Sequence, residues 1–384
     1  MSVMEIKREL LLSPDEVITR LQETEPLGVS VLNADQDISF KFETGWEETL
    51  DAMHGTDKVD AFITINGSEH QLTKDGAEQL GGFVNVTKKN LRTLPARITQ
   101  QALDHFYQNM GTKEEFQLLT VKGAAAGVTP KRTTPFSSIQ LVESVLEGIE
   151  EKFPGANVLA DYKFNNSLHS TNVRLIVPEY QHIITGGGVG DVPVRQQDLW
   201  SAGIHLSNSL SAKAPTQVES YLFRWWCTNG MTETLGSVGK WNRKTNGQED
   251  DVYDWARQSV DEVLGGMEYR FNQVQKLTEK ELSGGNVSDV LRGIFNEYKI
   301  PVAQRDVIRE NLENADSLNM YTLMSAITQA ANDPSLTAAR ADQLMRVGGA
   351  IPSGTSDPER ARVWNEGHSS DPEAVNPYAL NFED

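Results

Sequence analysis

The sequence predicts an α+β fold, with a sheet-and-helix core over residues 1–248, a helical region over 249–351 and a disordered acidic tail over 352–384. Three observations lead there. Short segments with period-two patterning dominate the first 248 residues, the spacing of half-buried strands. From about residue 250 apolar residues recur at three- and four-residue intervals, as in helices that bury one face. After Pro352 the composition turns to Pro, Ser, Asp, Glu and Asn, with 7 acidic and 2 basic residues. Such a segment has too little apolar surface to offset the entropy of ordering it.

In chain order, residues 4–24 read as an amphipathic helix with Ser13-Pro14-Asp15-Glu16 as its start signal and Val17, Ile18 and Leu21 on one face. Short strands follow over 27–52. Ala61 to Ile65, then Asn66-Gly67, then Ser68 to Leu72 predicts a two-residue hairpin, because Asn-Gly accepts the positive φ angles such a turn needs. Thr73 caps a helix that stops at Gly81-Gly82. Residues 87–110 form one helical region with Leu91, Leu94, Ile98, Leu103 and Phe106 as its apolar stripe. Phe116 to Lys122 is a strand, and Gly123 to Pro135 is an exposed loop. Ser137 or Ser138 starts a helix that reaches Phe153. Strands follow over 157–180 and 200–208, with Val173 to Val177 as sheet core and Gly186 to Gly190 as a loop between them. That loop lacks the Gly-Lys-Ser/Thr ending of a phosphate loop. Trp255 to Val274 is one long helix, followed by helices at 287–298, 302–313, 317–331 and 336–347, the last ending at Gly348-Gly349.

Composition narrows the function. A chain of 384 residues exceeds one ordinary domain. Its single cysteine excludes an internal disulfide framework and a cysteine-based zinc site. There is no run of eighteen apolar residues and no signal-like stretch over Met1 to Arg8, so a soluble protein of the cytoplasm is expected. Seven histidines are scattered without the helical spacing of zinc hydrolases, and there is no Gly-x-Ser-x-Gly elbow. No cofactor, metal or catalytic constellation is indicated.

Charge and aromatic patterning carry the functional reading. The net charge is −19, which disfavours non-specific duplex DNA binding. Residues 1–85 hold 6 Lys and Arg against 17 Asp and Glu, whereas residues 86–135 hold 8 against 3. Glu219 to Met231 concentrates two of seven tryptophans with Arg224, Cys227 and Asn229-Gly230. A second cluster, Lys240-Trp241-Asn242-Arg243-Lys244, follows. Rings on which bases stack, interleaved with cations for phosphates, suit single-stranded nucleic acid. The candidate contacts are Lys88, Lys89, Arg92, Arg97, Lys131, Arg132, Arg224, Lys240, Trp241, Arg243 and Lys244. The alternative reading makes Tyr221 to Trp226 a core element ending in a turn, with Cys227 a small buried residue.

The phrase Leu72 to Leu80 followed by Pro95, the segment Gly203-Ile204 to Asn208-Ser209, and the block Arg224-Trp225-Trp226-Cys227-Thr228-Asn229-Gly230-Met231 together resemble a phage- and plasmid-borne family, domain of unknown function 932. Ala326 to Asn332 and Gly348-Gly349 resemble that family's closing helices. The resemblance implies a mobile-element protein, of bacteriophage type, acting inside a bacterium. Two functions are then open: binding or annealing of single-stranded DNA in phage replication or recombination, or a non-enzymatic interaction protein. The second would self-associate or engage a host protein, and the acidic tail is a candidate docking segment for such a partner.

Overall fold

The computed structural model describes residues 11–24, 27–32, 37–44, 57–83, 88–109, 115–131, 135–165, 170–185, 198–209, 215–225, 229–233, 240–241, 249–282, 287–313, 315, 317–333 and 335–365. The fold is α+β, as expected. Two sheets each organise a separate hydrophobic core.

The first unit covers residues 27–131. Its strands are β1 (Leu27–Leu32), β2 (Ile38–Phe42), β3 (Lys58–Ile65), β4 (Ser68–Thr73), β5 (Phe116–Val121) and β6 (Ala124–Pro130), in the order β1-β5-β6-β4-β3-β2. The predicted hairpin is present: Asn66 and Gly67 turn between β3 and β4 at φ 47° and 81°. Thr73 caps α2 (Lys74–Phe83), its hydroxyl accepting from the Gly76 N–H at 3.1 Å. That helix continues through Gly81-Gly82. The predicted helix over 87–110 is two, α3 (Lys88–Thr93) and α4 (Ala96–Gln108), because Pro95 disfavours helical backbone at Leu94 and sits at the N-cap of α4. The break resets the stripe: α4 buries Ala96, Thr99, Leu103 and Tyr107, and leaves Ile98 45% exposed.

The segment expected as an exposed loop over 123–135 is the main surprise of this unit. Residues 124–130 form β6, and its positions through Thr129 are buried between β5 and β4. A residue without a side chain is required on the helix that faces it. A Cβ on Gly76 of α2 would collide with the Ala125 carbonyl oxygen, so helix and strand meet backbone to backbone. The positive φ at Lys122 and Gly123 makes the tight turn from β5.

The second unit begins before the first. α1 (Pro14–Thr24) buries Val17 and Leu21 in the same core as α5 (Ser138–Lys152), and Leu12 bridges to Ala160. In sequence, the first unit is therefore an insertion between α1 and α5. Ser137 caps α5, accepting from Gln140 N–H at 3.3 Å. The sheet is an antiparallel meander of β7 (Leu159–Asn165), β8 (Ser170–Ile184), β9 (Asp198–Ser209), β10 (Thr216–Arg224) and β11 (Asn229–Glu233). β12 (Lys240–Trp241) pairs with the start of β10.

The helices that follow are α6 (Glu249–Gly265), α7 (Met267–Leu277), α8 (Val287–Glu297), α9 (Val302–Glu313), α10 (Met320–Ala330), α11 (Ala338–Ser356) and α12 (Pro358–Asn365). The expected long helix is divided between α6 and α7 at Gly265-Gly266. These helices share one continuous core with the sheet, from Val17 to Trp364, so the chain does not divide near residue 248. Nor does order end at Pro352. α11 runs through Gly348, Gly349 and Pro352, and α12 buries Trp364, whose indole N–H donates to Glu297 at 2.5 Å. Burial of Val347, Ala350 and Ile351 outweighs an unfavourable local sequence.

α5 and α6 approach so closely that a Cβ on Gly148 would lie 2.7 Å from the Arg257 carbonyl oxygen and 2.9 Å from Val260. Gly148→Ala should therefore lower the unfolding free energy by about 1–3 kcal/mol, read by chemical denaturation. An unchanged midpoint would show that the two helices can part at no cost.

Candidate functional site

Charged residues interrupt the apolar strands of the second sheet at paired positions. Arg174 of β8 lies opposite His205 of β9, and His205 lies opposite Glu219 of β10, all three buried on one face. α11 supplies the groups that meet them. Arg346 holds Glu219 through one hydrogen bond at 2.7 Å and an ion-pair contact at 2.5 Å, and its Nε donates to Asp342 at 2.8 Å. Asp342 faces Arg174 at 3.6 Å and His205 Nε2 at 3.9 Å, while His205 Nδ1 lies 3.3 Å from Glu219. Asp161 of β7 accepts from Arg174 at 3.0 Å, and the Arg174 guanidinium sits over the Tyr221 ring at 5.6 Å. The contacts of the His205 ring fall outside hydrogen-bond geometry, and Arg174 Nε and Asp342 Oδ1 are buried without a hydrogen-bond partner.

Burial by itself would raise the carboxyl groups of Glu219 and Asp342. Arg346, with His205 beside it, outweighs burial and holds both below the ordinary carboxylate range. Burial would likewise weaken Arg346, and the two carboxylates more than reverse this.

A second buried cluster lies at the ends of β9 and β10. Arg224 pairs with Asp198 at 2.9 and 2.5 Å, Tyr321 of α10 donates to the same carboxylate, and the Trp200 indole donates to Tyr321 at 3.2 Å. Burial pushes the Tyr321 phenol well above its usual range. Trp225 donates to Ser201 at 2.7 Å. Asn208 binds the Phe136 carbonyl at 2.8 Å and Ser138 at 2.9 Å, and accepts from Thr216 at 2.9 Å, pinning the start of α5 to the sheet. Ser209 beside it is buried.

The structure separates the predicted nucleic-acid contacts. Arg224 is removed from them: it is 3% exposed and ion-paired, and with Trp225 it belongs to the core reading of that segment. Lys88, Lys89 and Arg92 lie on α3, and Arg97 is exposed on α4. Lys131 is exposed at the end of β6 and pairs with Glu115 at 2.7 Å. Lys240 and Trp241 lie on β12 of the other sheet. Arg132, Arg243, Lys244, Cys227 and Thr228 fall outside the described residues, while Asn229, Gly230 and Met231 pair as β11.

The residues that sequence reasoning missed are Arg174, His205, Glu219, Asp342 and Arg346. A signal was present, since Arg174, His205 and Glu219 are each a polar residue inside an apolar strand: Val173-Arg174-Leu175, Ile204-His205-Leu206 and Val218-Glu219 before Tyr221. Chemically, both clusters are enclosed, and the groups they hold are turned to one another rather than to a cavity. Among the described residues no set of three His, Cys, Asp or Glu is arranged to hold a metal, and no helix is long and apolar enough to cross a membrane. The clusters serve to fasten α10 and α11 to the sheet.

No protein-family model, no curated protein and no solved structure matches the chain. The resemblance to domain of unknown function 932 therefore rests on its quoted motifs alone.

Arg346→Met would leave two buried carboxylates without their main counter-charge. It should lower the unfolding free energy by about 3–5 kcal/mol at neutral pH. Because the folded pKa values of Glu219 and Asp342 lie below their ordinary 4.5 and 3.8, ionisation of these groups stabilises the fold above that range. This stabilisation starts to be lost as pH falls into that range and goes on being lost down to the lower folded values. Denaturation curves from about pH 5 down to about pH 3 should show a decline that is shallower in Arg346→Met. Parallel declines would assign acid sensitivity to other groups.

Proposed function

We propose that the chain is a non-catalytic binding protein for single-stranded DNA, of the kind a bacteriophage uses in replicating or recombining its genome. The observation that carries this reading is charge segregation. In a chain of net charge −19, residues 86–135 hold 8 basic against 3 acidic residues, and of these Lys88, Lys89 and Arg92 lie on α3, Arg97 on α4, and Lys122 and Lys131 on or beside the β5–β6 hairpin of one unit. Cations concentrated in one stretch of chain can neutralise phosphates without reading sequence. Trp241, at the edge of the second sheet, is the ring best placed by sequence to stack a base, with Arg243 and Lys244 beside it in the chain.

The second reading, an interaction protein that touches no DNA, is favoured by one finding. The burial of Arg224 and Trp225 takes away half of the aromatic–basic pattern.

Anisotropy titration of a labelled oligo-dT decides between them. Binding should weaken with salt, and with four contacts from Lys88, Lys89, Arg92 and Arg97 the log–log slope should reach about −3, at roughly 0.7 per contact. Lys88→Glu/Lys89→Glu should make that slope shallower by more than one unit, and Trp241→Ala should cost about 1–3 kcal/mol if the ring stacks. Absence of binding at low salt would retire the DNA reading in favour of the second.

A further inference from the structure

Four buried polar atoms without a hydrogen-bond partner meet between β8, β9 and α11: Arg174 Nε, both ring nitrogens of His205, and Asp342 Oδ1. The three residues are each at least nine-tenths buried. Protein interiors satisfy such atoms with a protein group or with ordered water. Arg346 outweighs burial and keeps Glu219 and Asp342 ionised, so both carboxylates can only accept. His205 stands between them, with Nδ1 3.3 Å from Glu219 and Nε2 3.9 Å from Asp342 Oδ1. A hydrogen on Nδ1 serves the nearer carboxylate. It leaves on Nε2 a lone pair that faces a second acceptor.

Two acceptors separated by 3.9 Å are bridged by one oxygen about 2.8 Å from each. That oxygen must give two hydrogens, one to Nε2 and one to Oδ1. It can also accept one, from Arg174 Nε, whose neighbour Nη2 on the same edge of the guanidinium is 3.6 Å from Oδ1. Its charge is set by the groups around it. The guanidiniums of Arg174 and Arg346 balance the carboxylates of Glu219 and Asp342, while Asp161 is 32% exposed and Lys163 lies in solvent at the edge of β7. An ion at this place would bring a buried charge with no counter-charge. A neutral oxygen that gives two hydrogens and accepts one is water, and about three bonds is what a buried water ordinarily makes.

We infer that one internal water molecule binds between His205 Nε2, Asp342 Oδ1 and Arg174 Nε as a constituent of the fold. It closes a ring of hydrogen bonds. Arg346 donates to Glu219 and to Asp342, Glu219 accepts from His205 Nδ1, and the water joins Nε2 to Asp342. In such a ring each bond polarises the next. α11 therefore reaches β9 through the water as well as reaching β10 through Arg346. The inference does not depend on the DNA-binding reading, and its test contains no DNA.

A crystal structure of the full chain that shows ordered solvent provides the first test. A solvent peak is expected within about 3.2 Å of all three atoms. Soaks with bromide and with rubidium, whose anomalous signals mark an anion or a cation, should leave that peak without signal. Nitrogen-15 NMR of the histidine-labelled chain at neutral pH provides the second, with the His205 ring assigned through the backbone of β9. Its signals should be those of a ring with hydrogen on Nδ1 alone and an Nε2 that accepts. A ring bonded directly to both carboxylates would instead carry hydrogen on both nitrogens, and that result would overturn the inference. So would an anomalous signal at the site, or three side chains placed as described with no peak between them.

Discussion

The structure of the second unit depends on one requirement: the charges placed inside its sheet must be answered from outside it. Arg174, His205 and Glu219 sit side by side across β8, β9 and β10 with no access to water. Left alone, such groups would cost several kcal/mol each in desolvation. α11 answers them with Asp342 and Arg346, one turn apart on the same helical face. The pairing sets where that helix crosses the sheet. It also accounts for a helix that persists through two glycines and a proline, since position is decided by burial and charge rather than by propensity. α12 and Trp364 then extend the same core.

A buried ion network of this kind specifies more than it stabilises. Hydrophobic residues of similar volume would pack as well, but without contacts tied to a single register of helix on sheet. Arg346 bound to both Glu219 and Asp342 tolerates one. The Asp198–Arg224–Tyr321 cluster does the same for α10 at the sheet's end. These two clusters make the C-terminal helices part of the sheet domain. They also leave the first unit, with its own core and its own charge balance, as the segment inserted beside them. That arrangement separates two tasks: the second unit carries the internal polar fastening, and the first carries the basic stretch that includes α3 and the exposed Arg97 of α4.

Much of the local structure was legible because its causes are local. Asn66-Gly67 must turn, Thr73 and Ser137 can cap, and alternating strands and amphipathic helices carry their own periods. The misreadings have a common origin. Gly123 to Pro135 looks like a loop by composition, yet Ala124 to Thr129 is a buried strand paired with β5 and β4, and Gly76 lets α2 approach its backbone. Ile98 falls on a plausible stripe, yet the break at Pro95 turns it to solvent. Arg224 reads as a cation among aromatics, and its partner Asp198 lies twenty-six residues away in the chain.

The sequence by itself determined the α+β class, the hairpin, the capped helix starts and the basic stretch between residues 86 and 135, since each follows from the chemistry of neighbours along the chain. Only the tertiary structure decided that α1 closes onto α5 across an inserted unit, that residues 249–365 belong to the sheet's core, and which cations remain exposed. Each of those outcomes turns on a partner distant in sequence. A charged side chain carries the same letter whether it faces water or a carboxylate brought to it by a helix more than a hundred residues later, as Arg346 is to Glu219.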